Sequence, residues 1–140
     1  MATYNKFLQF TKDLIDGHQL LATDTYKVML TNSAPVNTNT IKGNLTDISA
    51  GNGYSAGGTA STITNSTSSG TAKATATDVV FTASGGTIGP FRYAVLYNDT
   101  QTSPAKPLVA WFDYGSSITL ADGETFTVDF DGTNGVLTIA

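Results

Sequence analysis

The chain has 140 residues, 13% of them charged, with a formal net charge of −4 and no cysteine. A single domain of that length buries roughly 70% of its unfolded surface, so a core can form without staples, and neither a disulfide framework nor a thiolate metal site is possible. The six lysines (Lys6, Lys12, Lys27, Lys42, Lys73 and Lys106) are dispersed and Arg92 is the only arginine; without a basic patch to displace counterions, neither nucleic acid nor an anionic membrane surface is an expected partner.

In chain order, residues 5–16 place Phe7, Phe10 and Leu14 at helical spacing, with Leu8 and Ile15 nearby and Gly17 as a stop. A short helix fits this spacing; an extended arm is the alternative, although it would set Lys12 in an otherwise apolar row. No apolar stretch is long enough to span a bilayer, and MATYNKFLQF lacks the order of a signal peptide, so the expected product is made and kept in a cytosol.

From Thr25 the period changes to two, with Tyr26, Val28 and Leu30 inward and Lys27, Met29 and Thr31 outward, ending at the turn signal NSAP. Residues 32–77 form a long polar region rich in Thr, Ser, Asn, Gly and Ala, with Val36, Ile41, Leu45, Ile48, Tyr54 and Ile63 as sparse anchors and short strands expected near 60–64 and 71–75. A loop this long inside a domain is unusual and points to function or disorder. The second half is denser: 78–83 (DVVFTA), 91–97 (FRYAVLY), 108–114 (LVAWFDY), 117–120, 125–130 (TFTVDF) and 136–139 are short β-branched or aromatic runs divided by turn residues. DGTNG at 131–135 reverses the chain into the last strand as a hairpin turn.

That spacing reads as antiparallel β. FRYAVLY would set Phe91, Tyr93, Val95 and Tyr97 on one face and Arg92, Ala94, Leu96 and Asn98 on the other. LVAWFDY would set Trp111 with Val109, and Phe112 and Tyr114 with Leu108. Both segments are apolar on both faces, which a strand over water would not be. Two central strands buried on both sides and flanked by one-sided strands imply an all-β, antiparallel, two-sheet β-sandwich spanning 1–140 as one domain.

Chemical motifs are weak. GNGYSA at 51–56 has the letters of a dinucleotide fingerprint, but no buried strand precedes it and SAGGTASTIT cannot be the helix that must come after it, so it reads as a loop. DFDGTNG resembles the opening of a calcium loop, yet Asn134 stands where the glycine belongs and Ala140 where the closing Glu belongs. The sequons at Asn44, Asn65 and Asn98 carry little weight without a secretory signal. His18 is the sole histidine and sits beside Gly17 at a turn, with no nucleophile motif around it. A carboxylate pair drawn from Asp113, Asp129, Asp131 and Glu124 would satisfy glycoside hydrolysis, but Asp129 lies on the outer row of its strand, where carboxylates solubilise. No catalytic residue, metal or cofactor is therefore expected.

Arg92 is different, because a guanidinium among apolar neighbours requires a planar acceptor. An internal pair with Asp113 or Asp129 is favoured over a pair across an interface. Of the aromatic sets on LVAWFDY, only one is needed for a core, and the other is a candidate partner surface.

KFLQFTKDLIDG followed by ATDTYKVMLTNSAPV, GNGYSAGGTA, FTASGGTIGPFRYAVLYND and DYGSSITLADGETFTVDFDGTNGVLTIA resembles, in order and over nearly the whole chain, the capsid cement (decoration) proteins of tailed bacteriophages. The resemblance implies a jelly-roll sandwich on the outer surface of a virion, bound to an HK97-like major capsid protein, as a homodimer or a trimer, after synthesis in the host bacterial cytoplasm. It also implies no enzymatic activity. The long polar loop and the N-terminal segment, short of apolar residues, are expected to order on the shell, so the candidate partner-interface residues are Arg92, Phe112, Tyr114, Tyr54 and Phe7. The reading from another class is a virion adhesion or tail-associated sandwich that displays Trp111 or Tyr114 to a host glycan.

Overall fold

The computed structural model describes residues 2–140. Strands take 48% of the chain and helix 7%, which settles the class as all-β. In order the elements are β1 (Thr3–Lys6), α1 (Gln9–Ile15), β2 (Tyr26–Thr31), β3 (Thr59–Ser61), β4 (Ile63–Ser68), β5 (Thr71–Ala76), β6 (Val79–Thr82), β7 (Ile88–Asn98), β8 (Leu108–Leu120), β9 (Thr125–Val128) and β10 (Leu137–Ile139). They form a five-stranded sheet in the order β1-β8-β7-β2-β3, a three-stranded sheet β10-β5-β4 and a pair β6-β9, with antiparallel neighbours throughout. The layer opposite the large sheet is thus divided, where a jelly roll has two four-stranded sheets.

The main core lies between these layers. Tyr26, Val28 and Leu30 of β2 and Phe91, Ala94 and Leu96 of β7 pack with Val79 and Phe81 of β6, Val128 of β9, and Phe130 and Val136 beyond it. Each fully buried large apolar side chain contributes about 1.5–3 kcal/mol relative to exposure. The opposite face of the large sheet is also buried, by a smaller cluster of Phe7, Met29, Leu45, Val95, Tyr97 and Leu108, with Trp111 packed against it. The second apolar row of FRYAVLY therefore meets the protein's own long loop and N-terminal segment. This corrects the expectation that those segments lack enough apolar residues to be held: Phe7 and Phe10 are fully buried.

Over residues 5–16 the helix is the alternative that forms, at Gln9–Ile15, and the extended chain is confined to the stretch before it, Thr3–Lys6. β1 pairs with β8, Tyr4 opposite Phe112 and Asn5 opposite Trp111; the Phe7 amide then donates to the Val109 carbonyl at 3.1 Å, and α1 comes next. The helix turns Phe10 inward and leaves Leu8 and Ile15 exposed.

Of the three register shifts between β7 and β8, the two beyond Phe91 alter the expected faces. Phe91 opposes Ile118 while Tyr93 opposes Asp113, and Leu96 opposes Ala110 while Tyr97 opposes Leu108. In the first, β7 advances two residues against five on β8, leaving Tyr114–Ser117 as an excursion that includes Gly115 at φ 85°. Such shifts exchange the faces of a strand. Phe91 consequently joins Ala94 and Leu96 in the main core instead of sharing a face with Val95 and Tyr97. Likewise Leu108 joins Trp111 in the smaller cluster, while Ala110 and Phe112 enter the main one.

The irregular part of the long polar region is confined to residues 32–58, because β3, β4 and β5 occupy most of residues 59–77. Single side chains tie the irregular part down. The Asp47 carboxylate accepts the Tyr54 hydroxyl and the Gly57 amide (2.5 Å). The same Tyr54 oxygen accepts the Leu30 amide at 3.0 Å. Thr31 Oγ1 donates to the Thr46 carbonyl at 2.5 Å, and Asn44 Oδ1 accepts the Thr40 and Ile41 amides at 2.9 and 3.1 Å. The turn at 131–135 is no hairpin either: β9 pairs with β6 and β10 with β5, so it carries the chain from one sheet to another.

Candidate functional site

Arg92 finds its planar acceptor within the fold. Its Nε and Nη2 donate to Asp113 Oδ1 and Oδ2 at 2.8 and 3.1 Å, a bidentate pair across β7 and β8 beside the bulge. The guanidinium lies 5.3 Å from the Tyr93 ring centroid. Hydrogen bonding from Arg92, then from the Gly115 amide at 2.8 Å, holds the Asp113 carboxyl below the ordinary carboxylate range. Both side chains are half-buried, so the pair reaches the surface with its charge already matched.

The aromatic candidates separate. Phe7, Tyr54 and Phe112 are buried, so core packing takes the place of the partner contact expected of them. Phe7 lies 4.5 Å, ring to ring, from Trp111, and Tyr54 lies 5.7 Å from Phe81. Tyr114 is half-buried, edge-on to Phe126 at 4.8 Å. Burial, with the nearby Asp129 charge, raises its hydroxyl pKa. Trp111 is half-buried and is covered on one side by Phe7. The five candidates are therefore not brought together into one surface.

What the surface does present was missed. Leu8 is 56% and Ile15 86% exposed; seven residues apart, they lie within about 20° of each other around the helix. The Leu8 amide donates to the Asn37 carbonyl at 2.9 Å, which sets Val36, 54% exposed, beside the start of α1. Spacing alone assigned Leu8 and Ile15 near the inward face; their departure from the Phe7–Phe10–Leu14 phase was the available signal.

The remaining motifs resolve as local structure. In GNGYSA, Gly51 and Tyr54 exchange backbone hydrogen bonds at 2.8 and 3.0 Å around Asn52 (φ 56°) and Gly53 (φ 101°), a tight turn. In DFDGTNG the Asp131 carboxylate accepts the Thr133 and Asn134 amides at 2.8 and 3.0 Å. His18 is half-buried, with Nδ1 3.8 Å from Oδ1 of the buried Asp13, which also accepts Gln9 Nε2 at 3.0 Å. Asp13 Oδ2 has no hydrogen-bond partner among the described residues. Among the described residues no cluster of three or more His, Cys, Asp or Glu side chains is placed to hold a metal ion, and no helix is long and apolar enough to cross a membrane. No protein-family model, curated protein or solved structure matches the chain.

Proposed function

We propose that the protein is a virion structural protein, a cement (decoration) protein on the outer surface of a tailed-phage capsid, where as a homodimer it clamps neighbouring subunits of an HK97-like major capsid protein. The sequence resemblance over nearly the whole chain motivates this reading. The structural observation that supports it is the apolar set Leu8, Ile15 and Val36, held outward on a fold whose two cores are closed by its own chain. Large apolar side chains gathered on a small domain favour a protein contact.

The mechanism rests on geometry and mass action. A ligand that spans several subunits binds its second site at high effective concentration, so modest contacts add. Because it binds the assembled, expanded shell and not free subunits, it stabilises that state by linkage. A net charge of −4 keeps such a protein from competing for the packaged genome.

The test is co-sedimentation with expanded shells that lack the protein, titrated to saturation. The reading requires a fixed ratio to major capsid protein, and Ile15→Asp should weaken attachment while leaving the melting of the isolated protein unchanged. No attachment to properly expanded shells, with saturable glycan binding by the isolated protein, would move the assignment to an adhesion or tail module.

A further inference from the structure

Where β1 crosses the turn beyond β9, a cavity of about 230 Å³ is lined by Tyr4, Phe112 and Phe130 on its apolar side and by Asp129, Asp131 and Asn134 on its polar side. The rings are fixed. Tyr4 and Phe112 meet edge-to-face at 5.2 Å, Phe112 and Phe130 at 5.4 Å, and the Tyr4 hydroxyl donates to the Val136 carbonyl at 3.0 Å. That bond anchors the edge strand of the large sheet to the opposite layer, and Tyr4 as a whole is 38% exposed.

The charge on the cavity is one-sided. Asp131 accepts hydrogen bonds from the Thr133 and Asn134 amides and from Asn134 Nδ2; these hold its carboxyl below the ordinary range, so it stays ionised at neutral pH. Asp129 is exposed and takes part in none of the ion pairs found among the described residues. Lys73, whose charge reaches Asp131, spends its ammonium on the Gly132 and Thr133 carbonyls at 3.4 and 2.9 Å and does not line the cavity. Two carboxylates and aromatic rings lining one cavity, with no cation among them, repel anions and attract a positive charge carried on an apolar stem. Ring quadrupoles add to that attraction.

We infer that this cup receives a cationic side chain, lysine or arginine, of a partner protein, with the alkyl stem against the exposed Tyr4, which Phe112 backs from the core, and the charged head at Asp129. The inference goes beyond the capsid reading and holds for any protein partner.

The experiment is a titration of the isolated, isotope-labelled protein followed by backbone amide shifts. The probes are Nα-acetyl-arginine amide, Nα-acetyl-lysine amide, the neutral Nα-acetyl-norleucine amide and methyl glucoside. The expected result is saturable shifts at residues 3–6 and 129–136 with one or both cations and not with the neutral probes. Asp129→Asn should weaken the effect about fivefold, the size of one exposed charge contact, and Tyr4→Leu should weaken it while near-UV circular dichroism reports an intact core. Equal shifts with norleucine amide, preference for the glucoside, no shift with either cation, or shifts unaffected by Asp129→Asn would each overturn the assignment. The measurement uses no shell, so its failure and a failure of shell attachment are separate outcomes.

Discussion

The two faces of the large sheet are closed in different ways. On one, strands cover strands: side chains from β2, β7 and β8 meet those from β6 and β9, and the main core is continuous across them. On the other, a smaller cluster is closed by irregular chain, chiefly Leu45 and Phe7. That cover is hung from single polar anchors: the Asp47 carboxylate on the Gly57 amide and on the hydroxyl of Tyr54, whose ring sits in the main core, and the Tyr97 hydroxyl on the Gly57 carbonyl at 2.6 Å. Strand-on-strand burial is cooperative, because removing any part exposes its neighbours. A cover held at a few points can open while the sheet beneath stays folded.

The largest expected effect is on the first face. Phe91 is fully buried in the main core, against Phe126 at 4.9 Å, and Phe91→Ala should cost about 3–5 kcal/mol in a single denaturant transition. Leu45→Ala is a truncation of the same kind on the second face, worth about 2 kcal/mol or more. Its cost should appear as local opening: faster amide exchange through residues 36–58 with little change at β7 and β8. Equal loss of protection on both faces would make the cover and the sheet one cooperative unit and abolish the distinction.

Tyr54→Phe refines the same comparison. It keeps the ring beside Phe81 but removes the oxygen that accepts the Leu30 amide and donates to Asp47. Leaving a buried amide unpaired costs about 1–3 kcal/mol, and the exchange of the Leu30 amide should rise first. Gly58→Ala tests the same cover sterically: at φ 85° a Cβ would stand 1.8 Å from the Val28 carbonyl oxygen. The chain there can accept it only by pulling away from β2, with the same local signature in hydrogen exchange.

The first face was legible because burial leaves a period in the sequence. VVFT and TFTV alternate, and they pair as β6 and β9, with Phe81 opposite Phe126. The second face was not, because a tie such as Asp47 to Tyr54 needs only two polar residues and leaves no periodic trace. Nor could two apolar rows disclose the phase of β7 and β8. The exchange of faces depends on the shift at Arg92 opposite Tyr114–Ser117 and on a second one at Leu108–Ala110, and GSS between LVAWFDY and ITL marks only the first. The aromatic cup was invisible for a third reason: Tyr4, Phe112 and Asp129 come together only because β1 lies beside β8 and the turn after β9 folds over both.

The smallest effect belongs to Arg92, at the bulge where the faces exchange. Its pair with Asp113 is partly exposed, so water screens it, and Arg92→Ala should lower stability only slightly at neutral pH. The pH dependence identifies the cause. Bonding to Arg92 sets the Asp113 pKa in the folded state below its unfolded value of about 4. A depressed carboxyl contributes stability that is fully present above the unfolded pKa and is lost as pH falls through the folded one. Wild type and Arg92→Ala should therefore differ in urea midpoint at about pH 7 and converge at about pH 2. If the difference persists undiminished in acid, the contribution comes from the uncharged packing of the arginine stem on Tyr93, and the bulge is held by contact between the two faces instead of by its ion pair.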